Sequence, residues 1–222
     1  MRTPATAALT LAALGLAVTG CTEGSSGTGP TPEATVSATA TAPASPVAGG
    51  PVASCVTGNW RSTGASGEAS AGEASATISG GGGVAFTVGA NGETTVDFTG
   101  MQPATFTVAV AGVDVRGTFG YAGSVAGTVQ TGGGTDATAG TWEPVGAVDW
   151  ADTRVTVELT EPVRVTPLDN ARIGDYTGDN ANQTGNVVDV DPLLGVGRYE
   201  CQGDTLVLTP NDNGITWTLA RA

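Results

Sequence analysis

The feature that most constrains this chain is a two-residue rhythm in its apolar side chains. Val84, Phe86 and Val88 alternate with small or polar residues, as do Val96 and Phe98, and Phe106, Val108 and Val110. The rhythm continues through Val113, Val115, Phe119 and Tyr121, then Val125 and Val129, then Val155, Val157 and Leu159. Val163 and Val165 follow, and Ile215, Trp217 and Leu219 end it. In a strand successive side chains point to opposite faces, so this pattern sets one face on a core and the other in water. Asn91-Gly92, Ala122-Gly123, Gln202-Gly203-Asp204 and Asn213-Gly214 punctuate the runs as turns. One segment reads two ways. Val148, Ala151, Val155 and Leu159 would line a helix, whereas Thr153, Thr156 and Thr160 among the valines favour a strand. About ten short strands joined by tight turns predict an all-β antiparallel fold, either an up-and-down β-barrel or a β-sandwich. The barrel is the preferred of the two, because closure removes the edges that Val- and Thr-rich strands otherwise expose. The connections stay short until 167–194, which is expected to be a long loop.

The N-terminus obeys a different rule. Arg2 is followed by an apolar stretch over residues 5–18, of signal-core length and short for a bilayer span. Val18-Thr19-Gly20-Cys21 then reads as an aliphatic residue, two small residues and a cysteine. Here the chain resembles bacterial lipoproteins with a lipobox. The resemblance implies cleavage of a signal peptide at residues 1–20, a diacylglyceryl thioether on Cys21 and an acylated new N-terminus. Two or more acyl chains anchor a protein stably where one does not. Residues 21–51 carry Pro, Thr, Ser, Gly and Ala with no aromatic residue, too little apolar surface to offset the entropy of ordering. They are expected to be a flexible tether of roughly 30 Å end-to-end distance. Residues 52–222 are then the β-barrel domain.

Composition narrows the partners. The formal net charge is −13, and loss of residues 1–20 removes Arg2 and takes it to −14. With no basic patch to neutralise phosphates, nucleic acid is not an expected partner. All eight basic residues are Arg, and His and Lys are absent. Arg in place of Lys, with abundant Ala, Gly and Val, resembles the usage of actinobacteria, which would place the chain on the outer, extracytoplasmic leaflet of the cell membrane. Without His or Lys, a Ser-His-Asp or Cys-His arrangement, a Schiff base and a Ser-Lys pair are all ruled out. The glycine run 80–83 lacks the Lys and Ser/Thr of a phosphate loop. A pair of convergent carboxylates is the catalytic route left, and a non-enzymatic protein with no cofactor is the expectation.

The two ends of the barrel domain are related. It begins with Gly58-Asn59-Trp60, which resembles the G-x-W that opens the first strand of lipocalins and related calycins. In that family a basic residue from the last strand covers the tryptophan and closes the barrel base, and the resemblance assigns that role to Arg221. A second G-x-W occurs at Gly140-Thr141-Trp142. Cys55 and Cys201 lie in the same end regions. In an exported chain two cysteines remaining after lipidation are expected to pair. A free thiol or a metal site is the alternative, although two sulfurs and no His do not complete a zinc shell.

Three further features carry expectations. The acidic loop offers oxygen ligands at Asp175, Asp179, Asp189 and Asp191, which suit calcium but do not have EF-hand order; a solvated loop is the other reading. The pentapeptide GEASA occurs twice, at 67–71 and 72–76. It falls where lipocalins carry a lid loop, and it reads equally as a low-complexity connector. Inward members of the strands, Phe86, Phe98, Phe106, Val108, Phe119 and Tyr121, are expected to line a pocket for one small apolar or amphiphilic ligand. The functional expectation is therefore a membrane-tethered binding module for such a ligand or for an envelope protein. The alternatives are an envelope-assembly protein with a packed barrel, or a carboxylate-dependent hydrolase.

Overall fold

The two-residue rhythm becomes strand pairing along most of its length in the computed structural model, which describes residues 50–71, 74–110, 112–176, 191–211 and 214–222. The strands among them are β1 (Gly58–Ala71), β2 (Ala74–Gly80), β3 (Ala85–Val88), β4 (Glu93–Asp97), β5 (Ala104–Val110), β6 (Val113–Ala122) and β7 (Ser124–Thr131). They continue with β8 (Ala139–Pro144), β9 (Arg154–Glu161), β10 (Val165–Arg172), β11 (Gly197–Gln202), β12 (Thr205–Pro210) and β13 (Thr216–Arg221). A single 3-10 turn, Ile173–Tyr176, follows β10. No α-helix forms among the described residues. The segment that read two ways is strand β9 from Arg154 onward, as its interleaved threonines favour, while Val148, Ala151 and Thr153 lie in the connection before it.

All thirteen strands belong to one antiparallel sheet, with β1 pairing to both β13 and β3. That double pairing closes an eight-stranded barrel in the order β1-β3-β4-β7-β8-β11-β12-β13. The fold is thus the up-and-down barrel, not the sandwich. The remaining strands form a wing, β2-β5-β6-β9-β10, that runs outward from the C-terminal half of β1. At one end of the barrel the connections are short turns, such as Gly203-Asp204 between β11 and β12. At the other end the chain departs three times into the wing and returns. Because neighbouring barrel strands alternate in direction, all three excursions leave from the same end.

Glycine makes these departures possible. Between β2 and β3 the chain passes from wing to barrel through Gly80, Gly81 and Gly83, all with positive φ. A side chain at Gly83 would run into the carbonyl oxygen of Gly100. Ser62, buried on β1, holds the gap: its Oγ donates to Gly81 O at 2.9 Å and accepts from Val84 N–H at 2.9 Å. Ala122-Gly123, expected to be a hairpin turn, is instead a second crossing, since β6 pairs with β5 and β9 while β7 pairs with β4 and β8.

Two other expectations change. The GEASA repeat is not a connector: it builds the paired arms of the β1–β2 hairpin, with Ala71 opposite Ala74. Small residues at alternate positions suit close strand pairing as well as they suit a loop. The expected loop 167–194 begins with strand, because β10 pairs through Leu168 and Ala171 with β9. It is an outer strand with two register shifts. Asp, Asn and Pro are tolerated there because one edge of the strand faces water. Val163 lies in the turn before β10 and is exposed.

The core is continuous from the barrel interior onto the inner face of the wing. Inside the barrel Trp60, Trp142, Trp217, Tyr199, Phe86, Leu206 and Leu219 are each at most 2% exposed. Burying a ring of this size removes about 150–250 Å² from water, ~4–6 kcal/mol of transfer free energy before ordering entropy is counted. The barrel centre is therefore filled by its own aromatic side chains.

Candidate binding cleft at the barrel mouth

Cys21, the expected lipidation site, and almost all of the expected 21–51 tether lie outside the described residues, as do Asp179 and Asp189. Cys55 and Cys201 form a disulfide across a sequence separation of 146. It fastens the segment before β1 to β11. At that same end Trp60 and Arg221 are directly paired in the β1–β13 register. The Arg221 guanidinium lies 4.3 Å from the Trp60 ring centroid and donates to Thr57 O and Cys55 O at 3.3 and 3.2 Å. The Trp60 indole N–H donates to Val56 O at 2.7 Å. Val52, Ala53 and Val56 are buried beneath, so this end of the barrel is closed.

The six residues expected to line a pocket all sit on the inner face of the sheet, but they divide between barrel and wing. Phe86 packs on Trp142 inside the barrel, with ring centroids 5.8 Å apart. Phe98 meets Tyr121 at 5.3 Å, and Tyr121 meets Phe119 at 5.7 Å, where the wing joins the barrel. Phe106 lies farther along the wing, opposite Gly117, whose missing side chain leaves room for its ring. Val108 is half-buried beyond it. These rings fill space by packing on one another.

Open space occurs instead at the barrel end from which the wing departs. Leu193 and Leu194, just before β11, are buried there, and Leu193 O accepts the Trp142 indole N–H at 3.1 Å. The cap packs over Gly127, between the inward Val125 and Val129: a β-carbon there would be in van der Waals contact with Leu194 Cδ1 at 3.4 Å and Val148 Cγ2 at 3.6 Å. Outside the cap lies a cleft of about 280 Å³ between the β8–β9 connection and the segment before β11. Pro144, Val148, Trp150, Leu194 and Val196 line it together with Gly146, Gly195 and Asp191, its one ionisable group, and more of its exposed lining is polar than apolar. Val196 is 52% exposed. Beside the cap is a half-open hollow of about 40 Å³, lined by Trp142, Leu193, Leu208, Ile215 and Trp217 and by the exposed Asp191 and Arg198.

Asp191 is the group common to both spaces. Burial of its carboxyl among these walls pushes its pKa up, and a hydrogen bond from Trp150 partly opposes the shift. Asp175, the other described calcium candidate, is exposed on the 3-10 turn. Among the described residues no three acidic or cysteine groups come together as a metal site. The sequence reading missed Trp142, Trp150, Trp217 and the Leu193-Leu194 cap. The available signal was the concentration of tryptophan in a chain with few aromatics, together with the second G-x-W motif. Comparison with known proteins returns no matching family model, no matching curated protein and no matching solved structure.

Proposed function

We propose that this protein is a lipid-anchored, non-catalytic binding module on the extracytoplasmic face of the membrane, taking a small apolar or amphiphilic ligand at the barrel mouth and not in a deep calyx. The observation that carries this reading is the contrast between the aromatic-filled barrel and the open, mixed polar and apolar cleft of about 280 Å³ beside Trp150. A cleft that offers apolar side chains and a polar group together suits an amphiphilic ligand, and this one lies near the small end of the size range of small-ligand sites. The filled interior also favours a second reading, a rigid envelope-assembly protein that presents its surface to another protein.

Two measurements test the proposal. Cys21→Ser is expected to release the exported protein from membrane fractions, since the acyl chains lose their attachment atom. Retention with lipid after normal export would overturn the anchor. For the cleft, medium-chain amphiphiles are titrated while thermal stability and Trp fluorescence are followed. A ligand at 100 times its dissociation constant stabilises the fold by about 2.7 kcal/mol. Val148→Asp and Val196→Asp should abolish that stabilisation. Absence of any response to such ligands leaves the envelope-assembly reading in its place.

A further inference from the structure

We infer that the ligand of the mouth cleft is an amphiphile with a protonated amine head, seated on the Asp191 carboxylate with its apolar body along Val148 and Val196. The inference rests on the proposed cleft and deepens it by naming the charge of its occupant. Its first support is how Asp191 is held. Leu194 N–H donates to Asp191 O at 3.2 Å, which folds 191–195 into a turn at the cleft wall. Gly195 lies against the aspartate, since a β-carbon there would be 3.5 Å from Asp191 Cβ. The carboxyl accepts a hydrogen bond from the Trp150 side chain, which belongs to the other segment lining the cleft. The carboxyl is thus fixed between the two segments, and the residue keeps an exposed surface. A carboxylate offers about four acceptor positions, more than one indole N–H can fill.

The second support is the sign of the surroundings. Asp191 is the one ionisable group lining the cleft. The β8–β9 connection that forms the facing wall carries two further acids, Asp149 and Asp152, both exposed. Of the arginines on the flanking strands, Arg198 on β11 lines the hollow and not the cleft, and Arg154 on β9 donates to Ala151 O at 2.6 Å. The whole chain has a formal net charge of −13 and contains no Lys or His. A field of one sign over a cleft raises the local concentration of ligands of the other sign.

The chemistry of the head follows from these two facts. An anionic head would bring like charge against Asp191. A neutral head could hydrogen-bond there but would leave the carboxylate charge uncompensated in a wall that has stripped part of its water, the condition that raises its pKa. A protonated amine supplies the opposite charge and three N–H donors on a compact head. The exposed Val196 and the half-buried Val148 offer apolar surface in the same cleft. A volume of about 280 Å³ suits a single short chain.

The test titrates octylamine, 1-octanol and octanoate into the ¹⁵N-labelled full chain at neutral pH. The reporter is the indole N–H signal of Trp150, assigned by its loss in Trp150→Phe. Octylamine should bind about five- to tenfold more tightly than octanol, and octanoate more weakly than either. Asp191→Asn should bring octylamine down to the affinity of octanol. Asp149→Asn, which removes the same charge from outside the lining, should keep the preference for the amine. Equal affinity for octylamine and octanol, or tightest binding of octanoate, overturns the amine head and leaves the cleft standing. An equal loss in the two aspartate variants overturns the seat at Asp191 and assigns the preference to the field of the whole chain. Silence of the Trp150 signal with every probe removes the proposed cleft itself.

Discussion

Arg221 and Trp60, separated by almost the whole barrel domain in sequence, face each other across β1 and β13, with the guanidinium 4.3 Å above the indole. The contact joins the first strand to the last at the end where the barrel closes. Arg221→Ala removes the cation–π contact and two charge-assisted hydrogen bonds to backbone carbonyls. The Arg221 side chain is 39% exposed, so solvent screening reduces the loss. The expected destabilisation is about 1–2 kcal/mol, measured by urea unfolding. Arg221→Lys, which keeps the charge but not the planar fork, should recover only part of it. Trp60→Ala should cost about 3–5 kcal/mol.

The disulfide at the same end closes a very long loop. In the chain-entropy account a loop of 146 residues is worth about 5 kcal/mol, and measured losses on removing native bridges run about 2–5 kcal/mol. Cys55→Ser with Cys201→Ser should fall in that range. Mass analysis of the native protein should find the two cysteines linked and two hydrogens light, whereas two alkylatable thiols would contradict the pairing.

The wing depends on the glycine run that feeds β3. Gly83 has φ +96°, and any side chain there meets the backbone of Gly100. Gly134 has a similar φ of +93° but open space around it. Gly134→Ala should therefore cost about 1–2 kcal/mol, the strain of the left-handed region alone. Gly83→Ala should cost clearly more, and the difference between the two variants isolates the steric part. Equal losses would show that the β2–β3 crossing is not closely packed.

Two aspartates should titrate with opposite consequences. Asp97 accepts the Thr99 N–H at 2.8 Å, and hydrogen bonds to Thr99 hold its pKa below the ordinary value. Its contribution to stability is present above the unfolded-state pKa and is lost as pH falls through the folded one. Asp191 is the reverse: its pKa is raised, so the native state favours the protonated form. Its contribution is present below the unfolded-state pKa and is lost as pH rises through the folded one. Asp97→Asn should thus narrow its deficit relative to wild type on acidification. Asp191→Asn should gain on wild type as pH rises through and above the ordinary aspartate range. Parallel pH–stability curves for the two variants would contradict the assignment.

Much of this architecture is written in local pattern. Alternation assigned the strands because a strand's period depends only on backbone geometry. The closing Trp60–Arg221 pair was legible through the resemblance of Gly58-Asn59-Trp60 to the lipocalin opening motif, which implies a basic residue near the end of the last strand. The cleft was not legible. Its walls come from the β8–β9 connection and the segment before β11, neither of which has a period to read.

What the sequence by itself determined is the all-β class and the inward face of most strands in its alternating runs, since side-chain period and polarity are local properties; Val113, Val163 and Val165 are exposed. Only the tertiary structure decided which strand lies beside which, and so divided one inward face between a filled barrel and a wing. Phe86 and Phe106 share the same rhythm, yet one packs on Trp142 and the other lies far along the wing. Period names a face and not a neighbour. Neighbours are chosen by where the glycines let the chain turn, at 80–83 and at Gly123, and by which buried donors, Trp142 and Ser62 among them, find a carbonyl when it does.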